Sequence, residues 1–398
     1  GPAGAYAHHI RVVAWPVDAG RPPRFTMQKT IEFEIDQPKF AAALAAAVSV
    51  ADRRSNNQPI LASVLLRADV HGLSMTATDM QVSVREVLDA AAVSHGGVCI
   101  AAAHLLNVVR SLPAKPLRIK GLENHWISVK TGRSEFKLMG QGPGDFPEIP
   151  EAEKTSAWTV VPCAGLRDAI DRTMFSVSTD EARTNLNGLY VESTGQRLTA
   201  VSTDGHRLTK LAAEMPFPKT DKLIIPRKGL IELRKFIDKR PGEVAMASSG
   251  PSGHLFLRSG QAHMSIKLNN VVFPPYEQVI PKNHQRRVVA DRTELIAVLK
   301  RSEMMAPEKT ATVKLEIAKG SLVLTADNPD LGIAREEIDV EFKGEPLAAG
   351  FNASYLIEVL AAMTTAQVAL EFQGELDPCV LRPVDGPDFL GVVMPMRI

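Results

Sequence analysis

Apolar positions along the chain switch between two spacings, and they do so three times. Helical spacing appears in "DQPKFAAALAAAVSVA", "PCAGLRDAIDRTMFSV" and "DRTELIAVLKRSEMM". Phe40, Leu166 and Leu295 head these three stripes, 126 and 129 residues apart. A second set of amphipathic helices, "AAAHLLNVVRSL", "PRKGLIELRKFID" and "NASYLIEVLAAM", carries Leu105, Leu230 and Leu356, 125 and 126 residues apart. Around the helices run short alternating segments such as "WISVKTGRSEFKLM", "GHLFLRSGQAHMSIKL" and "VALEFQG". Alternation of this kind predicts half-buried antiparallel strands.

A turn signal repeats with the helices. "GLSMTATDMQVSV", "QRLTAVSTDGHRL" and "GSLVLTADNPDLGIA" each end a strand in an Asp or Asn turn, with Asp79, Asp204 and Asn328 spaced by 125 and 124 residues. Several landmarks at nearly constant spacing predict an internal repeat. The fold class is α+β: three copies of one domain, each with two helices packed on antiparallel sheet. The expected domains are 27–148, 157–281 and 285–398. The Pro-rich stretches "GPGDFPEIPEAEKTS" and "VVFPPYEQVIPKNHQ" serve as linkers. Residues 1–26 hold no period and are read as a leader or upstream extension, with Met27 as the expected native start.

Composition narrows the class. Hydrophobic residues make up 45% and charged ones 23%, as in a soluble globular protein, and 398 residues suit two or three domains. The formal charge of +1 advertises no overall attraction to nucleic acid but leaves room for a local basic face. Cys99, Cys163 and Cys379 are odd in number and far apart, which fits a reducing cytoplasm rather than a disulfide framework or zinc site. Phe40 to Ala51, the longest uncharged apolar stretch of the first domain, is too short to span a bilayer.

"VSTDGHRLTK" brings Asp204, His206 and Arg207 together and raises the question of catalysis. The aspartate belongs to the repeat, which makes it a turn residue bonding its own backbone. No G-x-S-x-G, Walker A or H-E-x-x-H motif accompanies it. A hydrolase or metal enzyme built on Asp204 and His206 is the competing reading, and it lacks a nucleophile and a ligand set. No cofactor is expected.

Basic residues are unevenly placed. "IPRKGLIELRKFIDKRP" holds Arg227, Lys228, Arg234, Lys235, Lys239 and Arg240 against Glu232 and Asp238, a net of +4. Arg167, Arg172 and Arg183 lie in or after the first helix of the middle copy, Lys300 and Arg301 in that of the third, and Arg53 and Arg54 after that of the first. Recurrence on equivalent helices predicts one shared basic face suited to phosphate contact without base readout.

The motifs "STDGHRL", "LNG" (186–188), "IPRKGL", "FPPYEQVIPKN", "NPDLGIAREEIDV", "FNASYLIEVL" and the terminal "VVMPMRI" resemble the bacterial sliding clamp family, the beta subunit of DNA polymerase III, from Met27 to Ile398. The resemblance implies a non-catalytic cytoplasmic clamp: a head-to-tail homodimer encircling duplex DNA without sequence preference and giving processivity. Each chain would then form half of a ring. Implied partners are the clamp loader, the catalytic subunit of polymerase III, other polymerases, ligase and mismatch-repair proteins, the last three through short clamp-binding peptides, with no membrane. Geometry agrees: six helices at roughly 10 Å spacing leave a hole of only ~9 Å, whereas twelve leave roughly 28 Å. The major groove alone is ~12 Å wide.

Carried over by motif, the peptide pocket comprises Leu186, Thr203, Gly205, His206, Arg207, Leu208, Pro274, Val279, Asn352, Tyr355, Val392, Val393, Met394, Met396 and Arg397. Thr184, Asn185 and Gly391 depart from the family pattern, which favours aromatic residues there. The resemblance also implies a dimer seam in which Phe136 and Leu138, on an edge strand, face Met304 and Met305 at a helix end.

Overall fold

The computed structural model describes residues 30–51, 58–70, 72–251 and 253–397. The leader, Met27, Arg53, Arg54 and Ile398 lie outside the described residues. Among the described residues there are six α-helices: α1 (Gln37–Val50), α2 (Ala102–Ser111), α3 (Cys163–Thr173), α4 (Arg227–Asp238), α5 (Arg292–Glu303) and α6 (Ala353–Ala361). They fall where the helical stripes predict, two per repeat, and pack in pairs α1/α2, α3/α4 and α5/α6. In α1 the stripe Phe40, Ala43, Leu44, Ala47 and Val48 is buried, which follows from i, i+3, i+4 spacing. Asp291 and Asn352 cap α5 and α6 by accepting from the Glu294 and Tyr355 amides at 2.8 and 3.1 Å.

The strands form four antiparallel sheets of five, nine, nine and five strands. Each nine-stranded sheet crosses from one repeat to the next. Val82–Leu88 of the first repeat pairs with Ala262–Lys267 of the second, with Val84 opposite Met264. Arg207–Glu214 of the second pairs with Phe389–Val393 of the third, with Leu208 opposite Val392. One apolar cluster runs through all three repeats, from Phe33 and Phe40 through Phe217 to Phe351 and Phe372. No helix among the described residues is long and apolar enough to cross a membrane.

The repeated turn is the structural device expected from the sequence. Asp79 Oδ1 accepts from the Gln81 and Val82 amides at 2.9 and 2.7 Å, and Asp204 Oδ1 from the His206 and Arg207 amides at 2.9 and 3.1 Å. In the third copy Asn328 Oδ1 accepts from the Asp330 amide at 3.0 Å. The Pro-rich segments do more than link. Phe146 is buried against Leu65 and Cys99, and Phe273 stacks on Tyr190 with ring centroids 4.9 Å apart, so each strap is fastened to the sheet it crosses.

Gly391 sits in the strand that joins the second and third repeats, and a Cβ built there would stand 2.2 Å from Val359 Cγ1 of α6. Val359 fills the space that a larger residue at 391 would need. Gly391→Ala should therefore destabilise the protein by about 1–3 kcal/mol through overpacking. The check is a lowered melting temperature that the second change Val359→Ala largely restores.

Candidate functional site

The turn Thr203–Arg207 closes with Gly205 in the left-handed region at φ 91°. Thr203 Oγ1 accepts from the Gly205 amide at 3.1 Å and donates to the Arg207 carbonyl at 2.6 Å, which locks the tip. Arg183 donates to the Asp204 carbonyl at 3.1 Å from outside. His206 is exposed on the tip, stacked toward Tyr355 at 6.3 Å.

Arg207 does something the motif did not predict. Its side chain is 9% exposed and every arm of the guanidinium is engaged within the protein. Nε donates to Asp204 Oδ2 at 3.2 Å, one terminal nitrogen donates to the Phe175 carbonyl at 2.7 Å, and the other pairs with the Glu358 carboxylate on α6. The guanidinium also lies over the Tyr355 ring at 4.5 Å. Arg207 is a clasp between the second and third repeats, with each guanidinium nitrogen bonded inside the protein. Beneath it the buried hydroxyls of Ser176, Ser202 and Thr209 bond one another and the Thr173 carbonyl, fixing the segment that presents the Phe175 carbonyl. The equivalent place between the first and second repeats is held by Lys228 of α4 on the Asp79 carboxylate.

Beside this clasp lies a second apolar cluster: Tyr190, Val201, Leu208, Ile224, Phe273, Tyr276, Val380, Leu390 and Val392. Leu208 and Val392 of the expected pocket belong to this cluster, and Pro274 and Met396 are half-buried while Val279, Met394 and Arg397 are exposed. Val393 does not belong to it: alternation turns it to the other face, into the main core. Leu186 is buried outside this cluster, with its carbonyl accepting from the Ser178 amide at 3.1 Å. Asn352 is occupied as the cap of α6 and donates to the Thr310 carbonyl at 2.9 Å, so its amide is structural. The aromatic residues Tyr190, Phe273 and Tyr276, absent from the expected pocket, share the cluster of Leu208 and Val392; "FPPYEQ" carries two of them and strand alternation implies Leu390. Burial pushes the Tyr276 phenol up to about 12 and raises that of Tyr190 as well, so both remain neutral donors. Tyr190 donates to Glu192 at 2.5 Å.

The expected basic face is largely ion-paired. Arg167 meets Asp238 at 3.1 Å, Arg172 meets Asp168 at 2.7 Å, and Lys235 meets Glu232 at 2.8 Å. Arg234 forks onto Asp171 at 2.7 and 3.0 Å and also pairs with Asp238; these hydrogen bonds hold its pKa above the usual guanidinium value. Arg301 forks onto Glu336 at 2.8 and 2.7 Å. Arg227 is half-buried with its Nε lacking a partner, and among the described residues Arg183, Lys239 and Lys300 of the expected set stand exposed without a carboxylate partner, Arg183 donating to the Asp204 carbonyl. The count of +4 along one segment omitted the carboxylates that the neighbouring helix brings to it.

At the expected seam, Phe136 is exposed on the edge strand Ser134–Leu138 while Leu138 packs against the core. Met304 is 67% exposed, but Met305 packs inward against the third repeat. No cluster of metal-ligating residues occurs among the described residues. Burial pushes the Cys99 thiol up to about 12 and raises that of Cys379 well above its ordinary value, so both are protonated and unreactive.

The clasp separates two neighbouring residues by role. Arg207→Met should strand the Glu358 and Asp204 carboxylates and the Phe175 carbonyl, lowering stability by about 1–3 kcal/mol. Exposed His206→Ala should stay within about 0.5 kcal/mol. Thermal melts of the two variants, with hydrogen exchange across 203–208 and α6, measure the difference; a wild-type melt for Arg207→Met would remove the clasp from the account.

Comparison with known proteins agrees with this architecture. Models of the N-terminal, central and C-terminal domains of the DNA polymerase III beta subunit match residues 31–150, 160–275 and 277–397. The beta sliding clamp of Pseudomonas aeruginosa is 33% identical over 92% of this chain and 100% of its own length, and that of Caulobacter vibrioides is 34% identical over the same shares. A solved structure of the Pseudomonas aeruginosa clamp bound to griselimycin matches with a TM-score of 0.86 at 33% identity, covering 93% of this chain and 100% of that one. This chain therefore belongs to the family of the DNA polymerase III beta subunit, the non-catalytic beta sliding clamp of DNA replication.

Proposed function

We propose that two copies of this chain join head to tail in a ring that encircles duplex DNA and tethers the replicative polymerase to it. The observation that supports this reading is a pair of edge strands, equivalent to those that join the repeats, left without a neighbouring repeat. Ser134–Leu138 ends one five-stranded sheet and Gly332–Asp339 ends the other. The equivalent strands elsewhere in the chain are the ones that join repeat to repeat. An interface of that heterologous kind closes into a ring when the rotation allows. Two chains supply twelve helices, which at roughly 10 Å spacing enclose a hole of about 28 Å.

Contact with DNA falls to the helices that line such a ring. Arg183, Lys239 and Lys300 are the exposed cations of that set without a carboxylate partner among the described residues, while Arg167, Arg172, Arg234, Lys235 and Arg301 must exchange a carboxylate for a phosphate. Attraction is therefore modest and sequence-independent, which suits a ring held by topology rather than affinity. The clamp works in the cytoplasm, where an ATP-driven clamp loader closes it on DNA. The catalytic subunit of polymerase III, other polymerases, ligase and mismatch-repair proteins dock through short peptides. The slot beside Arg207 receives them: Leu208, Leu390, Val392 and the aromatic floor offer apolar burial. Exposed Met394 with half-buried Met396 gives an adaptable rim.

Loaded protein should persist on closed circular DNA and be lost when the circle is linearised; equal loss from both forms would defeat the topological mechanism. Met394→Ala with Met396→Ala should weaken a polymerase-derived peptide by roughly 2 kcal/mol, a hot-spot-sized loss, while DNA retention is unchanged. Calorimetry with that peptide measures it, and unchanged affinity would move the slot elsewhere.

A further inference from the structure

An open pocket of about 470 Å³ lies between the turn at Asp79 and the strap that leaves the first repeat. Pro59, Ile60, Met80, Gln141, Asp145 and Pro147 line it. Its size falls in the range of ligand-binding cavities, roughly 300–1,000 Å³.

The internal repeat relates this pocket to the slot beside Arg207. Leu65 pairs with Thr76 and Cys99 as Tyr190 pairs with Val201 and Ile224, each 125 residues further on. Phe146 packs on the first group and Phe273 on the second, followed by Pro147 and Pro274. Met80 holds the turn position of Gly205: their amides donate to the Thr78 and Thr203 hydroxyls at 3.0 and 3.1 Å.

The two places differ in chemistry. Where the apolar cluster has Val201, Leu208 and Val392, the matching ladder positions of the first join hold Thr76, Ser83 and Ser265, and His263 stands for Leu390. An anchor that needs a deep apolar floor finds none here. The apolar surface lies instead on one wall, from Pro59, Ile60, Met80 and Pro147, with the Asp145 carboxylate beside it. Met80 is 52% exposed, and its flexible, polarisable side chain adapts to what it meets.

Charge separates the two places further. Strap 142–156 sets Asp145, Glu148, Glu151 and Glu153 against Lys154, a net of −3, whereas strap 271–285 balances Glu277 with Lys282. Nearby Arg85 and Lys228 are already paired, with Glu151 and Asp79. Asp145 and Glu148 are exposed and make no ion pair among the described residues. We propose that this pocket is a second peptide-docking site, taking a short segment of a partner protein in which a lysine or arginine adjoins an aliphatic or aromatic residue. The cation meets Asp145 in the field of the acidic strap. Its apolar neighbour lies against Met80, Ile60 and Pro147. Binding here leaves the slot beside Arg207 open, so one copy can hold two peptides at once.

A library of random heptapeptides panned on the unaltered full chain, then sorted for sequences that fail on Asp145→Lys, tests this. Expected are sequences with Lys or Arg beside Leu, Ile, Met or Phe, whose dissociation constants rise at least about tenfold in Asp145→Lys. Added salt should weaken them as well. Met80→Gly should weaken them several-fold and keep the fold, since glycine adopts the φ of 72° found there without strain. Met394→Ala with Met396→Ala should leave them unchanged, and melting temperatures of all variants separate a lost contact from a lost fold. Recovery of no Asp145-dependent sequence, or of Asp145-dependent sequences without basic residues, would overturn the site. Loss of binding in the Met394 and Met396 variant would place the peptides in the slot beside Arg207 and overturn it equally.

Discussion

Backbone hydrogen bonding across the edges of the repeats is the interaction on which the rest of the structure depends. A two-helix, two-sheet unit of this kind has sheet edges whose amides and carbonyls need partners. In this chain the edge of one repeat is completed by the next, which turns four sheets into a continuous arrangement and lets one apolar cluster run through three units. The same geometry leaves Ser134–Leu138 of the first repeat and Gly332–Asp339 of the third as edge strands without a neighbouring repeat.

At each internal join the shared turn is reinforced differently. The first uses an ammonium, Lys228 on Asp79, and the second a guanidinium that reaches three acceptors. A planar fork with several fixed bonds holds the wall beside Arg207 more rigidly than a single ammonium would. The turn tip carrying His206 is left exposed.

Electrostatics on the helices follow a different logic. Pairs such as Arg234 with Asp171 and Arg301 with Glu336 lie on surfaces where salt screens them and where each contributes little stability. They lower the net field without removing the cations.

Much of the fold was legible because its signals are local. Helical stripes headed by Phe40, Leu166 and Leu295, strand alternation, and the turn at Asp79, Asp204 and Asn328 all depend on residues a few positions apart, and their recurrence near 125 residues exposed the repeat. Tertiary structure decided what depends on distant partners. Glu358, 151 residues from Arg207, makes that arginine a clasp between repeats. Asp171 neutralises Arg234 from 63 residues away. Thr310 and the start of α6 occupy the Asn352 amide, and the pairing of 389–393 turns Val392 to the slot and Val393 to the core. The sequence determined which elements form and how often, because propensity and period act within a turn or two of chain. Only the packed structure decided which polar groups remain free, because that depends on which carboxylates and carbonyls the fold brings within 3 Å.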